Sequence, residues 1–169
     1  MGKRSTRTNK NIYQIARENL DLTRSKASEK MDYISADRIE KIESEKSLPH
    51  PDEILTMAQA YKFPGLCNYY CSHECPIGEQ YVPELQPKEL SQIVLEMLAS
   101  LNALDKVKNR FIEITVDGKI TEDEYEDFAD IQDELRNISL SASTLQLWID
   151  QMIADGQIDG EKLENARKK

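Results

Sequence analysis

Residues 22–49 constrain the fold more than any other stretch, because their pattern predicts two short helices joined by a tight turn. Thr23 and Ser35 each precede a helix-forming run, and a hydroxyl at that position accepts a hydrogen bond from an otherwise unpaired backbone amide. Between the two runs, residues 32–34 are expected to make the turn. Small or apolar residues recur on one side of both helices, and those expected to face inward are Ala27, Ser28, Met31, Ile39 and Ile42.

The second of these helices is expected to expose a polar side. The residues left pointing outward are Ala36, Asp37, Arg38, Glu40 and Lys41. A helix pair of this kind is how a helix-turn-helix reaches the major groove of DNA. A small helical domain without any nucleic-acid role has the same pattern, so the pattern alone leaves both interpretations open.

The segment resembles the Xre family, the Cro- and lambda-repressor-like helix-turn-helix proteins of bacteria. The residues that carry the resemblance are Leu22-Thr23, Ile34-Ser35 and Ile39-Glu40-Lys41-Ile42-Glu43, within a match over residues 11–62. The resemblance implies a five-helix DNA-binding domain in a sequence-specific transcriptional regulator, with residues 35–43 as the recognition helix on double-stranded DNA. It also implies an ion pair between Arg17 of the first helix and Glu43.

From the resemblance and the outward positions we expect a surface that contacts DNA. Arg24 and the basic N-terminal residues would hold phosphates, while Arg38 and Lys41 would reach bases or phosphates. The full set expected at the DNA is Thr23, Arg24, Ser35, Ala36, Asp37, Arg38, Glu40 and Lys41. An alternative rests on Asp37 and Glu40, because carboxylates repel phosphates. In that alternative the helix-turn-helix no longer binds DNA and instead docks a protein, as an adaptor would.

Charge is distributed unevenly along the chain, whose formal net charge is −9. Residues 1–66 carry 12 Lys/Arg and 10 Asp/Glu, whereas residues 67–169 carry 10 and 21. The overall balance is unfavourable for a generic nucleic-acid binder, but the acidity lies outside the candidate domain. Residues 1–10 are predicted to be a basic flexible arm, which either enters a minor groove or serves as a solubilising tail. Its basic residues are Lys3, Arg4, Arg7 and Lys10.

Three further helices are expected to complete a domain over residues 11–75. The first covers about residues 10–20, another begins at Pro51, where proline suits the first helical position, and a short fifth helix covers residues 66–70. A linker over residues 76–87 then follows, because helix-breaking residues cluster there. They are Pro76, Gly78, Pro83 and Pro87.

Residues 88–169 are predicted to form an acidic, antiparallel helical hairpin. Its first helix has an apolar seam of Leu90, Val94, Met97, Leu101, Leu104 and Phe111. Its second begins with a capping box of Thr121 and Glu124. The heptad seam of this second helix is Phe128, Ile131, Leu135, Ile138, Ala142, Leu145, Ile149 and Met152. Two helices alone bury little surface, so we expect a homodimer through the hairpin, the alternative being a bundle with the N-terminal domain.

The three cysteines fall within nine residues, as Cys67, Cys71 and Cys75, with His73 among them. Three interpretations compete: small hydrophobic side chains packed under the linker, a metal site, and a redox-sensing thiol pair. Zinc would take Cys67, Cys71, His73 and Cys75 as a tetrahedral set, although their spacing matches no known zinc signature. Packed thiols are the favoured interpretation, so no cofactor is expected, with zinc as the alternative.

The remaining sequence features exclude several classes of protein. Only two histidines are present, neither beside an obvious nucleophile, and there is no glycine-rich phosphate loop, so an enzyme is not expected. No apolar stretch approaches the roughly 18 residues that a membrane span needs, and the N-terminus lacks an apolar signal region. We therefore expect a cytoplasmic protein. With few β-branched runs, the expected fold class is all-α: a five-helix lambda-repressor-like domain followed by the long hairpin.

Overall fold

The computed structural model describes residues 9–168 and is all-helical over that range, as predicted. Residues 1–8, which include most of the predicted basic arm, and residue 169 lie outside the described residues. The helices are α1 (Ile12–Asn19), α2 (Arg24–Ser28), α3 (Ala36–Glu43), α4 (Pro51–Ala60), α5 (Gly65–His73), α6 (Gly78–Tyr81), α7 (Leu90–Thr115), α8 (Tyr125–Ala154) and α9 (Gly160–Arg167). A 3-10 turn at Glu122–Glu124 precedes α8. Within residues 9–168 no strand is formed, and no helix is both long and apolar enough to cross a membrane.

The described chain divides into two compact units, and the first is discontinuous in sequence. Residues 9–84 and 149–168 belong to the first unit, and residues 85–148 form the second. The boundary after residue 84 falls inside the linker predicted over residues 76–87. Residues 149–168, which the sequence assigned to the hairpin, group instead with the N-terminal helices. One reason is that the side-chain amide of Gln151, in α8, donates a hydrogen bond to the backbone oxygen of Lys62 at 3.2 Å.

A single apolar core holds the N-terminal helices together. Each of α1 to α5 contributes side chains that water hardly reaches, and burial of such apolar groups is the main stabilising term in folding. The core residues are Tyr13, Ala16, Ala27, Met31, Ile34, Ile39, Ile42, Ile54, Met57, Ala58, Tyr61 and Leu66. The inward-facing residues predicted for the helix pair are all in this core except Ser28, which is half-buried.

The helix starts follow the predicted caps. The Thr23 hydroxyl accepts from the backbone N–H of Lys26, and the Ser35 hydroxyl accepts from that of Arg38, each at 3.2 Å. Pro51 opens α4 as its first residue. These positions were predictable because a cap depends on a few consecutive residues and little on the rest of the chain.

Three helices are followed by a residue other than glycine in the left-handed backbone conformation. Asp21, Glu45 and Lys62 follow α1, α3 and α4 with φ of 52°, 60° and 52°. At each of these helix ends, the backbone N–H of the following residue donates a hydrogen bond to the carbonyl oxygen five residues before it. For example, the Lys46 N–H donates to the Lys41 oxygen at 2.9 Å. This is the arrangement that usually selects glycine, because a Cβ is disfavoured at positive φ. The three ends therefore carry a conformational cost that the rest of the unit offsets.

Helix α6 lies against the backbone of α5 at a point where only glycine fits. A Cβ placed on Gly78 would lie 1.9 Å from the carbonyl oxygen of Cys71. The short helix therefore occupies part of the stretch that the sequence assigned to a linker, and it shields the end of α5.

The second unit is a hairpin of α7 and α8 around a glycine turn. Gly118 has φ of +71°, and Asp117 caps the turn by accepting from the Lys119 amide at 3.0 Å. Arg110 of α7 and Asp127 of α8, nearly equidistant from the turn in sequence, form an ion pair at 2.6 Å. The Glu124 carboxylate accepts from the Thr121 amide at 3.0 Å, as the predicted capping box requires.

The buried stripes of α7 and α8 differ from the predicted seams. In α7 the fully buried residues are Ile93 and Ile114, whereas Leu90, Val94 and Leu101 of the predicted seam are exposed. In α8, Ile131 of the predicted seam is buried, and so are Ser141 and Thr144 outside it, whereas Leu135 and Ala142 of the predicted seam are exposed. Burial of Ser141 and Thr144 was not predicted, because neither residue belongs to the apolar seam. Thr144 satisfies its hydroxyl within the helix by donating to the Leu140 carbonyl at 2.8 Å.

Candidate nucleic-acid interface

Two arginines hold one buried carboxylate at the end of α3. Glu43 accepts from Arg17 Nε at 2.5 Å and Nη2 at 2.9 Å, and from Arg24 Nε at 2.8 Å. The Glu43 side chain has no solvent exposure, so its charge is offset by these cations rather than by water. Burial alone would lower the pKa of Arg17, but the hydrogen bonds and charge of Glu43 raise it. The pairing that the family resemblance implied is present here with a second arginine added.

This carboxylate fixes the three helices that carry the candidate interface. Arg17 lies in α1, Arg24 opens α2, and Glu43 ends α3. Arg17 also donates through Nη1 to the backbone oxygen of Leu22, and the Asn11 side chain donates to the Ile42 carbonyl at 2.9 Å. Since α2 and α3 are tied to the same side chain, their mutual orientation is set before any ligand binds.

The outer side of α3 is polar and carries both signs of charge. Asp37 and Lys41 are exposed, Ser35 is exposed at the N-cap, and Ala36 is half-buried. Glu40 pairs with Lys46, just beyond the helix, at 3.0 Å, and the hydrogen bond from Lys46 lowers the pKa of the Glu40 carboxyl. The repulsion expected from Glu40 towards a polyanion is therefore reduced by an adjacent cation.

Arg38, which the sequence placed at the DNA, faces the interior edge of the unit instead. Its Nε and Nη2 donate to the two oxygens of Glu53 in α4 at 2.7 and 2.6 Å, and Nη2 also donates to the Leu48 carbonyl at 2.9 Å. Glu53 in turn accepts from the His50 amide at 2.7 Å as part of the α4 cap. A guanidinium with these partners joins α3 to α4, so Arg38 is not part of the candidate interface.

The two cap hydroxyls and Arg24 keep only part of their predicted role. Thr23 and Ser35 use their oxygen as acceptors for the helix starts, which leaves the hydroxyl hydrogen to donate outward. Arg24 gives its Nε to Glu43 while about a third of the side chain, 37%, stays exposed. Thr23, Arg24 and Ser35 therefore lie at the N-terminal ends of α2 and α3 with some polar capacity left.

Two exposed cations near these helices were missed by the sequence reasoning. Lys26 lies in α2 and Lys46 follows α3, and both are exposed. Their proximity to the predicted helix pair was readable from the sequence. Their accessibility was not, because it depends on which sides of α2 and α3 pack inward.

The structure does not bring the four candidate metal ligands together. His73 stacks on Tyr69 with ring centroids 4.5 Å apart, and its Nδ1 lies 3.1 Å from the Tyr69 carbonyl. Cys67 and Cys71 lie four residues apart in α5, and Cys75 lies beyond the helix end. Within residues 9–168 no group of three or more His, Cys, Asp or Glu side chains is placed to hold a metal ion. Zinc was the alternative interpretation of this cluster, and the tetrahedral set that it would need is not formed by these residues.

The cysteines themselves are partly buried thiols. Burial raises the pKa of the Cys67 thiol, with a smaller contribution from Cys71. A raised pKa disfavours the thiolate, which is the reactive form. This arrangement suits packed side chains more than a reactive pair.

Comparison of the chain with models of protein families, with curated proteins and with solved structures found no match in any of the three. The geometry of α2 and α3 therefore carries the functional argument.

Proposed function

We propose that the protein is a sequence-specific DNA-binding transcriptional regulator of the Xre type, acting as a homodimer on double-stranded DNA. The observation that supports this most is the buried Glu43 carboxylate, held by Arg17 and Arg24 at 2.5–2.9 Å. It fixes α2 and α3 while leaving the outer side of α3 open. A preset helix pair with an exposed second helix is what docking in a major groove requires.

The contacts divide by chemistry. Lys26 and Lys41 would neutralise phosphates, and Thr23 and Arg24 would donate to phosphate oxygens. Ser35, Ala36 and Asp37 lie at the start of α3, the part of a recognition helix that meets base edges. A carboxylate there accepts a hydrogen bond from the cytosine amino group, so Asp37 and Glu40 can select bases while lowering nonspecific affinity.

The rest of the proposal follows from this role. A regulator binds rather than transforms its target, so no enzymatic activity is assigned. A role on the chromosome would require the protein to lie in the cytoplasm. Two half-sites in the operator would match a protein dimer by symmetry.

The experiment is selection of genomic DNA fragments by purified protein at near-physiological salt, followed by affinity measurements on an enriched fragment. We expect Lys41→Ala to weaken binding to all sequences and to reduce the slope of log affinity against log salt by about one. Lys106→Ala, which removes one exposed positive charge from α7, is the matched control and should bind as the wild type does. Enrichment of no sequence, or equal effects of the two variants, would reject the proposal.

A second candidate is a protein-interaction adaptor, supported by the carboxylates of Asp37 and Glu40 and by the net charge of −9. The substitution Asp37→Asn distinguishes the DNA-binding regulator from the protein-interaction adaptor. Loss of a negative charge should raise nonspecific DNA affinity if the helix faces DNA. If the helix docks a protein, the same change should leave DNA affinity undetectable. A redox- or metal-responsive regulator remains a lesser candidate, resting on the grouping of Cys67, Cys71 and Cys75.

A further inference from the structure

Two carboxylates lie on the outer side of α3, about one turn apart, and their surroundings differ. Asp37 and Glu40 are three residues apart, so their side chains project from the same side of the helix. Glu40 is held by Lys46, whose Nζ donates to the two carboxylate oxygens at 3.0 and 3.3 Å. Within residues 9–168, the Asp37 side chain forms no hydrogen bond or ion pair, even with Lys41 one turn further on. Of these two carboxylates, Asp37 is therefore the one available to a ligand.

The end of α3 fixes the position of Lys46. Glu45 has φ of 60°, and this left-handed residue turns the chain back so that the Lys46 amide donates to the Lys41 carbonyl oxygen at 2.9 Å. The Ser44 hydroxyl donates to the Glu40 carbonyl oxygen at 2.7 Å. Because its backbone is held to the last turn of α3, Lys46 reaches a carboxylate six residues before it in sequence.

The charge of Glu40 is balanced locally. The hydrogen bond from Lys46 lowers the pKa of the Glu40 carboxyl, and the nearby charge of Arg24 lowers it further. Both oxygens of Glu40 already accept from an ammonium group, so this carboxylate has little left to offer a base. Asp37 keeps its charge and both oxygens, and it is exposed.

A carboxylate selects among the bases because it can only accept hydrogen bonds. In the major groove cytosine presents an amino donor, whereas guanine presents two acceptors and thymine presents an acceptor and a methyl group. Adenine presents an amino donor beside the N7 acceptor, which repels the second carboxylate oxygen. Cytosine is therefore the best match for an ionised aspartate.

We propose that Asp37 reads a cytosine in each half-site of the operator, and that Lys46 keeps Glu40 out of the readout. Asp37 is the second residue of α3, in the part of a recognition helix that meets base edges. Lys46 is a positioning residue, because it acts through Glu40. These roles rest on the proposed function and add to it the base that the site selects.

Selection from duplexes with about 20 randomised base pairs tests the role of Asp37. Wild-type protein should enrich a motif with cytosine at one position of each half-site, by roughly 5- to 150-fold over guanine. Asp37→Asn should move the preference at that position to adenine, because an amide both donates and accepts and so matches adenine N6 and N7. Glu40→Gln is the matched control: it removes a charge from the same side of α3 and should leave the motif unchanged.

The selected motifs distinguish a failure of this role from a failure of the proposed function. A wild type that enriches no sequence would reject the proposed function, and the role of Asp37 with it. If the wild type enriches a motif that Asp37→Asn leaves unchanged, or that Glu40→Gln changes at the same position, Asp37 is not the reading residue, while DNA binding itself stands. Circular dichroism should show equal helicity for the three proteins.

A double-mutant cycle tests the role of Lys46. Lys46→Met should weaken binding to the enriched motif and to unrelated DNA alike, by about two- to fivefold, because it exposes the charge of Glu40 to phosphates. In protein that already carries Glu40→Gln, the same change should have no effect. An equal loss in both backgrounds would mean that Lys46 contacts phosphate directly, which would overturn its role as a positioning residue.

Discussion

Arg38 of α3 and Glu53 of α4 are joined by two hydrogen bonds of 2.7 and 2.6 Å, in a geometry that uses both carboxylate oxygens. The pair joins α3, the helix proposed to read DNA, to α4. Removing Arg38 should therefore change stability before it changes recognition.

We expect Arg38→Ala to lower the free energy of unfolding by about 1–2 kcal/mol, because Glu53 loses its partner while Arg38 is itself partly exposed. The hydrogen bonds from Arg38 lower the pKa of Glu53, so this stabilisation is present at neutral pH and is lost as pH falls through the folded-state pKa. Urea unfolding followed by circular dichroism at several pH values measures both effects. Lys41→Ala, the control, should unfold as the wild type does, and DNA affinity of folded Arg38→Ala protein should stay near wild type.

The buried carboxylate of Glu43 should be the most sensitive charged position in the first unit. Glu43→Gln leaves Arg17 buried without a counter-charge, which costs roughly 3–5 kcal/mol when a buried pair is broken. Glu40→Gln changes an exposed carboxylate three residues away and should leave unfolding unchanged. Equal midpoints in urea for the two variants would mean that Glu43 is not the tie between α1, α2 and α3.

Replacing the left-handed residue after α3 with glycine should stabilise the fold. Glu45 has φ of 60°, so Glu45→Gly should raise the free energy of unfolding by about 0.5–1 kcal/mol by relieving the Cβ penalty. Glu45→Ala removes the same charge but keeps the Cβ, and should give no such gain. Thermal unfolding of the three proteins tests this, and a gain shared by both variants would assign the effect to charge instead.

Glu74, which follows α5, should destabilise the fold when it is ionised. Its Oε2 is buried without a hydrogen-bond partner of good geometry, and burial raises its pKa even though the nearby Tyr13 hydroxyl opposes this. The folded state therefore keeps this proton to higher pH than the unfolded chain, and stability falls as pH rises through that interval. Glu74→Gln should gain less than about 1 kcal/mol at pH 7, because the group is only partly buried.

The pH dependence shows whether the stability gained by Glu74→Gln comes from removing a charge or from a change in packing. At about pH 4, where the carboxyl is protonated in the folded state, the advantage of Glu74→Gln should disappear. Glu79→Gln, on the exposed surface of α6, serves as the control. A gain that persists at low pH would show that the charge of Glu74 is not its cause.

The sequence predicted those features of the fold that are determined by a few consecutive residues. Thr23 and Ser35 cap α2 and α3, Pro51 opens α4, and Thr121 and Glu124 cap the start of the hairpin's second helix, because each depends on a few neighbouring residues. The helix pair over residues 22–43 followed from the same local signals.

The outcomes that sequence reasoning missed depend on packing between distant segments. Arg38 was placed outward because Glu53, its partner 15 residues later, gave no separate signal. The covered side of α7 was predicted only in part, because apolar residues recur with the same period on two adjacent sides of this helix, and periodicity alone does not say which side is covered. Burial of Thr144 was missed for a different reason: its hydroxyl donates to the carbonyl oxygen of Leu140 in its own helix, so it can be buried without a partner from another segment.

The discontinuity of the first unit has a consequence for how the chain acquires its structure during synthesis. Residues 149–168 complete a unit whose other members lie within residues 9–84. Nascent chains usually finish their N-terminal domain first, at about 5–20 residues per second. Here residues 149–168 can join the N-terminal helices only after residues 85–148 have been made, so the first unit is completed after the sequence of the hairpin has been synthesised.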